Sequence, residues 1–145
     1  MPGIIVGVDG SDHSRKALER AIQEAAAHHT SLTVLTVHQA VRDVYGGVST
    51  YPGDSELTEK ARQAATAETN EVVAALGVQP ESVTVTAVHG LPAEELVKAA
   101  QGADMVVMGS RGAGGFARLR MGSTATQVAQ HAHCAVLILP TDERD

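Results

Sequence analysis

Five short apolar runs, each followed by a helix-like stretch or the chain end, constrain this sequence more than anything else in it. The runs are Ile4 to Val8, Leu32 to His38, Val83 to Val88, Met105 to Met108 and Ala135 to Leu139. They are rich in β-branched residues and mostly lack polar alternation, as strands buried on both faces do. Between the first two runs, Ala17, Leu18, Ala21, Ile22 and Ala25 form one apolar helical face, and Ser11 or Asp12 can cap its start. Ser55 to Leu76 reads as a second helix, stopped by Gly77 and Pro80. Pro92 to Gln101 reads as a short helix with Pro in its first turn, and Ser123 to His131 as a fourth. Gln39 to Asp54, with Gly46-Gly47 and Pro52-Gly53, reads as a long mobile loop.

Strands alternating with helices predict a parallel sheet with right-handed crossovers and helices on both faces. The expected fold is one α/β domain over residues 1–145. It is Rossmann-like, with a five-stranded parallel sheet in the flavodoxin-like order 3-2-1-4-5. Ligands of such sheets bind beyond the strand C-termini, where the strand order reverses. In this order the ends of the first and fourth strands, Asp9-Gly10-Ser11 and Gly109, flank that point.

Composition excludes several function classes. The formal net charge of −6 disfavours nucleic acid as a partner. Phe116, Tyr45 and Tyr51 are the only aromatic residues, too few for a base-stacking platform. The single cysteine, Cys134, forms no internal disulfide, so the fold needs no oxidising compartment. No apolar run reaches membrane-spanning length, and the chain opens directly on its first strand without a leader-like segment. The expectation is a cytoplasmic protein without a membrane partner.

The segment from Gly109 to Thr124 carries the clearest chemistry. Glycines at 109, 112, 114 and 115 let backbone N–H groups approach an anion. Ser123 and Thr124 open a helix whose free amides and dipole favour phosphate. Gly122 immediately precedes that helix, and a side chain there is expected to point at the ligand or force an unsuitable backbone angle. No Asp or Glu occurs between Asp104 and Asp142, whereas Arg111, Arg118 and Arg120 do. The bland alternative is a surface loop leading into a capped helix. A Walker A loop would need Lys before Ser123, and Met121-Gly122 stands there instead.

The spacing Gly109-x2-Gly112-x9-Gly122-Ser123 resembles the nucleotide motif of the ATP-binding branch of universal stress proteins. The segments Ile5 to Ser11, Val106 to Gly112 and Cys134 to Pro140 are also similar to that UspA-like family. The resemblance implies that Asp9 lies by the ribose and phosphates and that the backbone around Val37 meets adenine. It implies that Gly109, Arg111, Gly112, Gly122, Ser123 and Thr124 hold the phosphates of ATP, with a divalent cation such as Mg2+ or Mn2+. Gly7 and Met108, inside the matching segments, complete the implied nucleotide site. Gly7 stands where the family often has Pro, and Arg111 where it often has His. The resemblance further implies a homodimer involving the last strand, and a regulatory stress-response role without a catalytic residue. Two other functions fit parts of the sequence: a non-nucleotide dimeric interaction protein of the same family, and a nucleotide-dependent enzyme of the related α/β fold.

Other residues have plainer readings. Asp9 can simply turn the chain, and Ser11 and Ser14 suit a helix start better than a nucleophile's role. Glu94 and Glu95 suit the positive end of a helix. His38 and His89 end strands near the expected cleft and could line it. His131, His133 and Cys134 have zinc-compatible chemistry but no second ligand group at metal-site spacing. Cys134 alone resembles a buried small hydrophobe. Arg118 and Arg120 either reach phosphate or solubilise their loop.

Overall fold

The computed structural model describes residues 3–111 and 121–140. Five parallel strands form the main sheet: β1 (Ile4–Val8), β2 (Ser31–Gln39), β5 (Ser82–Gly90), β6 (Met105–Gly109) and β7 (Ala135–Leu139). Their order is β5-β2-β1-β6-β7, the Rossmann-like 3-2-1-4-5 order expected from the sequence. Four helices connect them: α1 (Asp12–Ala27), α2 (Asp54–Leu76), α3 (Pro92–Ala99) and α4 (Ser123–His131).

The side each helix takes follows from handedness. From β1 the chain steps outward to β2 and then β5, so α1 and α2 share one face of the sheet. It then crosses to β6 and β7 in the opposite direction, which puts α3 and α4 on the other face. Strand alternation fills both layers. Ile4, Val6, Val8, Leu32, Val34 and Val107 pack with Leu18 and Ile22 of α1 and Val72 of α2. Ile5, Leu35, Val106 and Met108 pack with Leu96 of α3 and Val128 of α4. The core is aliphatic on both faces, as the scarcity of aromatics requires.

The segment from Gln39 to Asp54 departs from expectation. It is not a plain loop. β3 (Val41–Arg42) and β4 (Val48–Ser49) pair antiparallel as a small hairpin. Asp43 organises its turn: its carboxylate accepts the N–H groups of Tyr45 and Gly47, both at 2.9 Å. The Ala40 N–H donates to the Gly90 carbonyl at 2.7 Å, anchoring the hairpin base to β5. Glycines and an acid in this short stretch serve a tight turn, a signal that loop composition alone conceals. The other elements agree with the sequence reading to within two residues at their ends.

Leu18 is fully buried where α1 crosses the centre of the sheet. Leu18→Ala is expected to destabilise the protein by about 2–5 kcal/mol through lost burial and a residual cavity. Urea unfolding followed by circular dichroism will read it as a lower midpoint at unchanged m-value.

Candidate functional site at the strand-order reversal

β1 and β6 are neighbours, paired from Ile4 with Met105 to Val6 with Val107. The next helices after them, α1 and α4, lie on opposite faces of the sheet, so a crevice opens at their C-terminal ends. A cavity of about 1050 Å³ lies there. Its lining brings together Gly7, Asp9, Val37, Met108, Gly109, Arg111, Gly122, Ser123 and Thr124. Gly112, Arg118 and Arg120 lie outside the described residues.

The β1 end is a hydrogen-bonded turn. Asp9 Oδ1 accepts the Ser11 N–H at 3.0 Å and also the Ser11 hydroxyl. Ser11 Oγ in turn accepts the Ser14 N–H at 3.1 Å, making Ser11 the N-cap of α1. Ser14 Oγ donates to the Ser11 carbonyl at 3.1 Å and accepts the Asp9 N–H at 3.2 Å. Both serines therefore serve the helix start. Asp9 both turns the chain and faces the cavity.

The β6 end meets the start of α4. The Ser110 N–H donates to the Leu139 carbonyl at 2.8 Å, and the Ser110 carbonyl accepts the Gly122 N–H at 2.7 Å. A Cβ on Gly109 would lie 3.3 Å from the carbonyl oxygens of both His13 and Arg111. Glycine here lets β6 pass close to the first turn of α1. Gly122 differs from expectation, because φ of −67° and ψ of 163° suit any residue. What a side chain would disturb is contact: its Cβ would stand 3.3 Å from the Ser110 carbonyl oxygen. Arg111 packs beside it and is only 6 % exposed. Gly122 is the N-cap of α4, and the first helical turn contains no acid. The first amides of a helix lack intrahelical acceptors, so this end suits an anion.

The far wall comes from β2, β3 and α3. Val37 and Gln39 share one strand face and line the cavity with Leu96 and Ala93. Arg42 of the hairpin pairs with Glu94 of α3 at 2.6 Å, and both line the cavity. Sequence reasoning missed Gln39 and Arg42. The two-residue strand period from Val37 reaches Gln39, but no sequence signal links Arg42 to Glu94. Glu95 instead lies 3.6 Å from Lys98 on its own helix.

His38 and His89 do not line this cavity. Strand alternation turns them to the opposite face, where both approach Asp54 at the start of α2. His131, the last residue of α4, and His133, between α4 and β7, are both exposed. Cys134 packs against the second core layer, and burial pushes its thiol above the ordinary range, as suits a core residue.

The universal stress protein family model matches residues 2–140 of the sequence. The chain belongs to the universal stress protein family. A Thermus aquaticus universal stress protein is 35% identical over 138 residues, covering 94% of this chain and 96% of the relative. The Mycobacterium tuberculosis universal stress protein Rv2623 is 36% identical over 138 residues, but the match spans only 44% of its length. Among solved structures, a universal stress protein in complex with cAMP superposes with a TM-score of 0.73 at 28% identity, covering 97% of this chain and 98% of the other. The Lactobacillus plantarum universal stress protein UspA gives 0.70 at 25% identity, covering 95% and 97%.

Behind Asp9, this universal stress protein has a smaller cavity of about 310 Å³ between β1, β2 and α2, lined in part by Asp9 and Glu68. Burial raises the Glu68 pKa; Arg15, 3.9 Å away, opposes the shift, and Glu71, Asp9 and Asp12 add to it. A folded-state pKa above the unfolded one means the folded protein binds more protons between them, so stability falls as pH rises through that window. Glu68→Gln removes the charge in both states. It is expected to raise the thermal midpoint at pH 7, with the gain vanishing once the pH drops below the ordinary carboxylate range. Thermal melts across pH will check this; a lower midpoint at pH 7 would show that the Arg15 contact outweighs burial.

Proposed function

We propose that this universal stress protein binds ATP, with Mg2+ or Mn2+ at the phosphates, in the cavity beyond β1 and β6. The observation that carries the reading is that Asp9, Gly109 and the Gly122 to Thr124 helix start line one cavity. These segments lie far apart in sequence and supply complementary chemistry. The close passage at Gly109 and the α4 amides suit phosphates, and Arg111 adds positive charge. Val37, Ala93, Leu96 and Met108 offer an apolar surface for a base, and Asp9 offers a carboxylate to the ribose side and to a cation. Gly112 belongs to the same phosphate set by its spacing. The relative solved in complex with cAMP supports an adenine nucleotide as the ligand class. A divalent cation supplies charge neutralisation to a triphosphate.

The role we infer is regulatory, in a stress response in the cytoplasm, rather than enzymatic. Among the described lining residues the carboxylates are Asp9, whose Oδ1 accepts from Ser11, and Glu94, which pairs with Arg42. Neither is held as a dedicated general base. Titration calorimetry with ATP and Mg2+, AMP and cAMP as separate arms is expected to show saturable binding, tightest for ATP. No binding at millimolar ATP would overturn the reading. Gly122→Glu adds bulk and negative charge at the α4 start and is expected to weaken ATP by at least about tenfold, or about 1.4 kcal/mol. Gly122→Ala, which adds only the Cβ beside Ser110, is expected to weaken it less. Circular dichroism checks the fold of both variants, and unchanged affinity in folded Gly122→Glu would move the phosphates elsewhere.

We propose also that the protein is a homodimer through β7. This strand is an edge of the sheet, and Val136, Leu137, Ile138 and Leu139 are only partly buried. An apolar edge needs cover, and a symmetry-related copy supplies it. Light scattering at micromolar concentration is expected to give the mass of a dimer; a monomer would overturn this.

A further inference from the structure

On the face of the sheet opposite the nucleotide cavity, two histidines and an aspartate from three elements converge. His38 and His89 occupy matching register positions on the adjacent parallel strands β2 and β5. Their rings stack with centroids 5.2 Å apart. Asp54, the first residue of α2, reaches both rings: its Oδ1 is 2.9 Å from His38 Nε2 and its Oδ2 is 3.4 Å from His89 Nε2. One ligand atom from each residue lies within 4.8 Å of the other two. The Tyr51 N–H fixes the carboxylate with a 2.6 Å hydrogen bond to Oδ2. The three side chains are between 13% and 25% exposed, mostly enclosed yet still reached by water.

We propose that His38, Asp54 and His89 form a binding site for a divalent transition-metal ion of the zinc class. Two imidazoles with one carboxylate select zinc, cobalt or nickel over magnesium and calcium, which prefer all-oxygen sets. A tetrahedral zinc with bonds of about 2.0–2.1 Å places its ligand atoms about 3.3 Å apart. With one ligand atom of each residue already within 4.8 Å of the other two, exchanging the His38–Asp54 hydrogen bond for bonds to an ion brings the three to that spacing. Three protein ligands leave the fourth position to water. The Tyr51 amide holds the carboxylate from outside, as outer partners of metal ligands do.

The site is separate from any cation at the nucleotide phosphates, because its residues point to the α2 side of β2 and β5. Its consequence is mechanical. A bound ion ties the first residue of α2 to the ends of β2 and β5, and so closes the base of the segment carrying the β3–β4 hairpin and Arg42.

The test uses the full chain, stripped with chelator and without nucleotide, titrated with Co2+ and followed by visible absorption. One equivalent is expected to produce the intense bands of four-coordinate cobalt, and Zn2+ is expected to abolish them. His89→Gln and Asp54→Asn are each expected to weaken binding at least about tenfold, in line with loss of a ligand or its support. His38→Gln serves as a third variant should Asp54→Asn alter the α2 start by circular dichroism. His131→Ala combined with His133→Ala is expected to leave binding unchanged. Absence of saturable four-coordinate bands in the wild type would overturn the proposal. Binding that survives His89→Gln and His38→Gln but is lost with His131 and His133 would overturn it equally.

Discussion

The pairing of β1 on both sides, with β2 on one flank and β6 on the other, is the constraint on which the rest of the structure depends. Because right-handed crossovers carry the chain outward in both directions from this strand, the helices must divide between the two faces. The same division leaves the C-terminal ends of β1 and β6 without a helix spanning them. The cavity is therefore a product of chain topology. Asp9 and Gly109 stand at its edge because they are the first residues past, or the last within, the two strands that separate there.

Strand parity then sorts neighbouring residues into different environments. Val37 and Gln39 face the cavity, whereas His38 between them faces α2. His89 shares that outward turn because it is paired in register with His38. A single residue's step along β2 thus separates the apolar cavity wall from the imidazole pair beside Asp54. Both sides are served by the hairpin segment: Arg42 reaches the cavity, and Asp54 at its end reaches the histidines.

The glycines of the site do different physical work. Gly109 permits a close approach between β6 and the first turn of α1, where two carbonyl oxygens leave no room for a side chain without displacement. Gly122 has an ordinary backbone angle and owes its place to contact with Ser110 and to its position as the α4 N-cap. Sequence spacing presents them as equals in one motif. Only their surroundings distinguish a glycine needed for packing from one that keeps a helix end open.

By itself the sequence determined the strand and helix order, the doubly wound sheet and its reversal point, because apolar runs, capping residues and crossover handedness are local or topological properties. It also pointed to the part of the cavity lining at the strand ends and the start of α4, but not to the wall made by Gln39, Arg42 and α3. Tertiary structure alone decided the rest. The 39–54 hairpin closes on a local Asp43 turn that loop composition conceals, but its anchorage, Ala40 bonded to β5, is tertiary. Arg42 met Glu94, and His38, Asp54 and His89 met one another, through contacts between elements far apart in the chain. Such meetings depend on register and on which face a side chain takes, and a one-residue change in either would undo them without altering the composition of any segment.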